Sequence, residues 1–124
     1  MESGKSQSES SLSELNELVE YSYLYDFYGA LLKEKHRLIF EDYVLNNLSL
    51  GEIAGEHQIT RQGVYDAVRR CKSSLREYEE KLQLVSKFHL IEEKLHQIEE
   101  IAKEGTAEDA QRITELAEEI YDVI

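Results

Sequence analysis

Proline is missing altogether from the 124 residues, and glycine occurs only six times. A sheet protein of this size needs several tight turns, which those two residues supply, so their scarcity argues against a β architecture and for long helices. A single cysteine, Cys71, excludes an internal disulfide framework and fits a reducing compartment. No run of apolar residues is long enough to span a bilayer. The opening MESGKSQSES lacks the apolar core of a secretion signal. A cytoplasmic protein with no membrane partner is expected.

What is present fits that reading. Charged residues make up 32 % of the chain against 41 % hydrophobic, the balance of helices with one face in water. The net charge of −12 at first argues against nucleic acid, but it is unevenly spread. Residues 1–32 carry −5, 33–48 carry 0, 49–76 carry +2, 77–104 carry −4 and 105–124 carry −5. Acidic flanks repel a polyanion within about one Debye length, ~8 Å at physiological salt. Binding of nucleic acid is therefore expected to be weak, or confined to one face.

The periodicity predicts an all-α fold. Residues 1–11 are polar and aperiodic and are expected to be a disordered tail. Tyr21, Leu24, Tyr25, Tyr28, Leu31 and Leu32 then share one helical face. A buried face is the commoner use of such aromatics, although they can also form a stacking platform for bases. A second helix from about Lys33 to Leu45 is expected to bury Leu38, Ile39, Tyr43 and Val44 and to stop at Asn46-Asn47, since Asn tolerates a left-handed residue. Ser49 and Glu52 have the spacing of a capping box. It opens a short helix with Leu50, Ile53 and Ala54 inward. Thr60 is a second N-cap, and two capped starts eleven residues apart, joined across His57-Gln58-Ile59, are the layout of a helix-turn-helix. The helix-turn-helix domain is placed at residues 12–76 and a helical extension at 77–124.

The helix starting at Arg61 shows no break before Gly105 and would span ~66 Å. Val64, Val68, Cys71, Leu75, Tyr78, Leu82 and Val85 form a heptad seam along it. The seam slips by one residue to Leu84, Phe88, Ile91, Leu95, Ile98 and Ala102, which implies different partners for the two halves. After Gly105 and an N-cap at Thr106, a helix over 107–123 repeats the pattern through Ala110, Ile113, Ala117 and Ile120, and Ile124 follows. It is long enough to fold back over the second phase only. Leu75, Tyr78, Leu82 and Val85 would then stay uncovered and serve as a homodimer interface.

In a helix-turn-helix the second helix enters the major groove by its N-terminal residues while others grip phosphate. The candidates are Thr60, Arg61, Gln62, Tyr65, Arg69, Arg70 and Lys72, with acidic Asp66 among them. Arg61 and Gln62 sit where base edges are read, Arg suiting guanine and Gln adenine. Arg69, Arg70 and the helix N-terminus at Thr60 are better placed for phosphate. Lys33, Lys35 and Arg37 can add backbone contacts. The bland alternative is that these cations only solubilise a packing motif. His89–Glu93 and Glu92–His96 are i, i+4 pairs, more commonly solvated than metal-bound. No zinc pattern, phosphate loop or paired acid and base is present, so no metal, no cofactor and no enzyme activity are expected.

Tyr23-Leu24-Tyr25-Asp26-Phe27-Tyr28, Leu31-Leu32, Lys35 and Arg37 resemble the opening of the YlxM family of bacterial helix-turn-helix proteins. Leu48-Ser49-Leu50-Gly51-Glu52-Ile53-Ala54, Thr60-Arg61-Gln62-Gly63-Val64-Tyr65-Asp66, Arg69-Arg70 and Tyr78-Glu79-Glu80-Lys81-Leu82 continue the likeness in order, over about residues 18–104. The resemblance implies a fold similar to sigma-factor region 4, a regulatory role and a link to the signal recognition particle pathway. DNA or the particle's RNA would be the target. The alternative implied partner is the particle's GTPase, or another of its proteins, held by an acidic adaptor. The segment before Leu12 and the helix after Gly105 lie outside the likeness. Gln58 stands where such turns often carry glycine, so a positive φ there would carry strain.

Overall fold

The computed structural model describes residues 2–123, with side chains from Leu12 onward. Six α-helices follow one another: α1 (Glu2–Tyr28), α2 (Glu34–Val44), α3 (Leu50–His57), α4 (Arg61–Leu82), α5 (Leu84–Ala102) and α6 (Ala107–Val123). A 3-10 turn, Gly29–Leu31, joins α1 to α2. No strand occurs among the described residues, and the all-α expectation holds. The backbone of the polar opening is helical from Glu2, where composition suggested a tail. Its Ser, Glu, Gln and Lys residues contain no proline to prevent α1 from extending through them.

The chain divides into two compact units, Met1–Leu82 and Gln83–Ile124. In the first, α4 is the shared floor. Val64, Ala67, Val68, Cys71 and Leu75 recur at helical spacing and are all buried, giving one inward stripe. Against it pack Tyr21, Leu24 and Tyr28 of α1, Ile39 and Phe40 of α2, and Ile53 of α3. The aromatics meet at angles that suit their quadrupoles. Tyr21 lies edge-on to Phe40 with centroids 6.2 Å apart, and Tyr25 lies 6.0 Å from Phe40. Phe40 takes the core place that periodicity gave to Leu38, which is 45 % exposed. Two of the tyrosines bury the ring and keep the hydroxyl bonded: Tyr28 donates to Glu79 at 2.6 Å and Tyr25 to Glu41 at 3.1 Å. The aromatic run is a core face, not a platform open to bases.

The turns follow local chemistry. Asn47 ends the α2 region at φ 52°. The Ser49–Glu52 capping box forms in both directions, at 3.2 and 3.1 Å. Gly63 donates to Thr60 Oγ1 at 3.0 Å, confirming that cap. Gln58 adopts φ 55°, ψ 43° as its amide bonds back to Ala54.

The long helix is interrupted. Gln83 takes φ 54°, ψ 32° between α4 and α5. This left-handed residue coincides with the one-residue slip of the apolar seam, so the change of phase is made by a break in the helix. In the second unit α6 folds back on α5 through Gly105, at φ 66°, and a Thr106–Asp109 capping box at 3.1 and 3.2 Å. Lys94 pairs with Glu119 across the two helices at 2.7 Å. Leu116, outside the expected repeat, is the buried residue of α6, while Ala110 is exposed. Ile124 lies outside the described residues.

A left-handed conformation costs a residue with a Cβ ~1–2 kcal/mol, and glycine gives part of that back as unfolded-state entropy. Gln58→Gly is therefore expected to raise stability by ~0.5–1 kcal/mol in urea unfolding. A loss of stability would show that the Gln58 side chain has a use beyond the turn.

Candidate nucleic-acid interface

With its inner stripe in the core, α4 presents the opposite strip to solvent. Arg61 and Gln62 stand at its capped start, both exposed, with Tyr65 49 % exposed one turn on. The first-turn amides and positive dipole end of α4 lie beside them. Gln62 Nε2 donates to Asp66 Oδ1 at 3.1 Å. Asp66 thus fixes the Gln62 amide as well as adding negative charge.

Arg69 and Arg70 are neighbours in sequence but project about 100° apart around the helix, and the surface separates them. Arg69 borders a groove with Lys72 and Arg76 that also contains Glu17, Glu77 and Glu80. Arg70 lies on the other flank, in a groove with Lys33 and His36 from the start of α2 and Ser73 and Ser74 from α4. His36 and the two serines were not singled out by motif, because their juxtaposition with Arg70 is produced by the packing of α2 on α4.

Lys72 is corrected by the structure. Its ammonium pairs with Glu17 of α1 at 2.9 Å and sits over the Tyr21 and Tyr43 rings, 5.1 and 5.2 Å from their centroids. Burial opposes charge on Lys72, yet the Glu17 bond and the Tyr43 side chain together hold its pKa above the ordinary lysine value. The same hydrogen bond leads the causes that pull Glu17 below the usual carboxylate range. Lys72 ties α1 to α4 and is not a free phosphate contact.

The dimer seam is corrected as well. Leu75 is completely buried in its own chain and Val85 is buried too. Tyr78 is half-buried with its ring 6.0 Å from that of Tyr28. Tyr28 of α1 covers α4 at Tyr78 and Glu79. Of the four residues proposed for the interface, Leu82 alone is exposed, at 46 %.

Cys71 is a core residue: burial pushes its thiol up to about 11, and Sγ approaches the His36 carbonyl at 3.6 Å. A second group that sequence reasoning missed lies at the α2–α3 junction. Asp42, Glu56 and His57 bring their ligand atoms within 4.8 Å of one another. Asp42 Oδ2 meets His57 Nε2 at 2.7 Å and Oδ1 accepts from Asn46 at 2.8 Å. The contact locks α2 to the end of α3, immediately before the Gln58 turn.

These observations describe a helix-turn-helix with an exposed, capped second helix. The family described as "Putative helix-turn-helix protein, YlxM / p13 like" matches residues 15–119. The chain belongs to this family. Among its members, the YlxM protein of Bacillus subtilis (strain 168) is 40 % identical over 104 residues, 84 % of this chain and 93 % of that protein. A member from Halalkalibacterium halodurans is 43 % identical over 102 residues, 82 % of this chain and 94 % of the relative. One from Thermoanaerobacter pseudethanolicus is 50 % identical over 105 residues, 81 % of this chain and 90 % of the relative. The YlxM family pattern runs to Glu119, so most of α6 belongs to it, beyond the end of the motif likeness near residue 104.

Two outcomes follow from the ion pairs. Lys72→Gln is expected to cost about 1 kcal/mol, a partly exposed pair plus cation–π contact. The affinity of the folded protein for nucleic acid should stay unchanged; a large drop in affinity with stability intact would restore Lys72 to the interface. The His57 bond holds the Asp42 carboxyl below its ordinary value, against the opposing effect of burial. A depressed folded pKa stabilises above the unfolded carboxylate value and is lost as pH falls through the folded one. Thermal unfolding from pH 6 down to pH 3 should therefore show Asp42→Asn losing less stability than the parent chain; equal slopes would mean the pair contributes nothing.

Proposed function

We propose that this member of the YlxM family is a regulatory nucleic-acid-binding protein that uses the capped start of α4 as its reading element. The observation that carries the reading is the position of Thr60, Arg61, Gln62 and Tyr65. They stand together at one exposed helix N-terminus, held from behind by α1, α2 and α3, within the only stretch of the chain that is net positive. In this reading Arg61 and Gln62 reach base edges, Thr60 and the first-turn amides meet phosphate, and Arg69 and Arg70 steady the two flanks. Asp66 restrains Gln62 and limits affinity, in keeping with a binding face bounded by acidic segments. The family resemblance connects this role to the signal recognition particle pathway, with the particle's RNA or a DNA site as target, in the cytoplasm.

The second reading is an adaptor for a protein of the particle, such as its GTPase. What favours it is the net charge of −9 over residues 77–124, which suits a basic protein partner. Retention of the GTPase after nuclease digestion would support the adaptor. The homodimer now rests on Leu82 and on Leu12, Leu15 and Val19, which are 58, 57 and 48 % exposed at helical spacing on α1. Sedimentation at high micromolar concentration decides it, a 14.4 kDa species excluding self-association.

The test is fluorescence anisotropy with labelled duplex DNA and labelled particle RNA across a salt series. Arg61→Glu is expected to weaken binding at least tenfold. It should also flatten the dependence on log salt by about 0.9 for each phosphate of duplex DNA that is no longer neutralised. Equal affinity of the variant and the parent for both nucleic acids would sink the reading.

A further inference from the structure

We infer that the groove between the start of α2 and the middle of α4 is a seat for a phosphoryl group. The groove has a volume of about 400 Å³, and Lys33, His36, Arg70, Ser73 and Ser74 supply its polar wall. Lysine and arginine offer hydrogen-bond donors and no acceptor, serine can donate, and imidazole can do so from either nitrogen. No carboxylate lines the groove, although the chain carries 26 acidic residues against 14 lysines and arginines. Neither Lys33 nor Arg70 makes an ion pair among the described residues. The groove on the other flank shows the contrast. There Arg69, Lys72 and Arg76 face Glu17, Glu77 and Glu80, so its positive charge already has partners.

The backbone adds to the same end. Lys33 is the N-cap of α2 and gives it no side-chain cap. The first amide to bond back is that of Arg37, to the Lys33 carbonyl at 2.8 Å, which leaves the preceding first-turn amides without a helical acceptor. Two unpaired cations beside serine hydroxyls are the elements of an oxyanion site, and the positive end of α2, whose first turn also carries Glu34, starts at Lys33. Tyr78 also lines the groove, and its ring can flank a base or another apolar portion of a ligand. The lining runs from Arg70 to Tyr78, and Arg70 lies nine residues beyond Arg61, ~14 Å along the helix. The seat is thus set back from the reading end of α4. It can hold the phosphate of a free phosphorylated ligand or a backbone phosphate of bound nucleic acid. The shared chemistry is a phosphoryl group bound by cations and serine hydroxyls.

Isothermal titration with inorganic pyrophosphate, at constant ionic strength set by chloride, tests the seat without nucleic acid, so its failure is separate from failure of the nucleic-acid reading. The parent chain should bind one equivalent saturably. Lys33→Gln and Arg70→Gln should each weaken binding at least tenfold while keeping the helical circular dichroism of the parent. Arg112→Gln, on α6 with only an exposed pair to Glu115, should bind as the parent does. Absence of saturable binding, or the same weakening in Arg112→Gln, would overturn the proposal. Should Lys33→Gln and Arg70→Gln both prove unfolded, Ser74→Ala together with protection of the Lys33 amine from acylation by pyrophosphate gives the reading: protection supports the seat and its absence overturns it. Repeating the titration with duplex DNA present separates the sources. Competition identifies a backbone phosphate as the occupant, and independent binding identifies a free ligand.

Discussion

The inward stripe of α4 is the constraint on which the first unit depends. Five buried residues, Val64 to Leu75, must be covered by three other helices, and each covering helix is aimed by a local device. α1 is held by Tyr28 bonding to Glu79 and by Glu17 reaching Lys72. α2 is fixed by Phe40 among the tyrosines and by Asp42 meeting His57. α3 is set by its capping box and by the left-handed Gln58. Once those faces are used, the outer side of α4 stays exposed from its capped N-terminus onward, with a groove on each flank. Core packing and the proposed reading face are two sides of the same helix.

The same constraint sorts the cations. Arg69, Arg70 and Lys72 form one basic run in the sequence, yet 100° per residue sends them to different surroundings. Lys72 turns under α1 and becomes structural. Arg69 shares a groove with three carboxylates. Arg70 meets Lys33 and His36 with no acid between them. A chain with net charge −12 can still present a local anion site, because what an approaching phosphate feels is set within a Debye length and not by the sum.

Much of this was legible in the sequence. The caps at Ser49, Thr60 and Thr106, the stops at Asn47 and Gly105, the left-handed Gln58 and the helix-turn-helix all follow from local chemistry, which acts over a few residues. What periodicity could not settle was which helix covers which. The seam at Leu75 and Tyr78 looked open because the contribution of α1, some fifty residues away in sequence, cannot be read from the α4 pattern. Leu38 was expected inside and is exposed for a related reason: Phe40, buried in its place, meets Tyr21 and Tyr25 of α1, which the α2 pattern alone does not show. The slip between Leu82 and Leu84 was visible, but a gradual change of phase and a break at a left-handed Gln83 leave the same trace in the sequence.

The central claim is that the strip of α4 left outside the core is where the protein meets nucleic acid. Hydrogen–deuterium exchange with and without saturating duplex DNA or particle RNA tests it most directly. Protection centred on residues 58–70, with α5 and α6 unchanged, is the predicted result. Protection confined to α5 and α6, or none anywhere at saturation, would contradict the account and make α4 a packing element only.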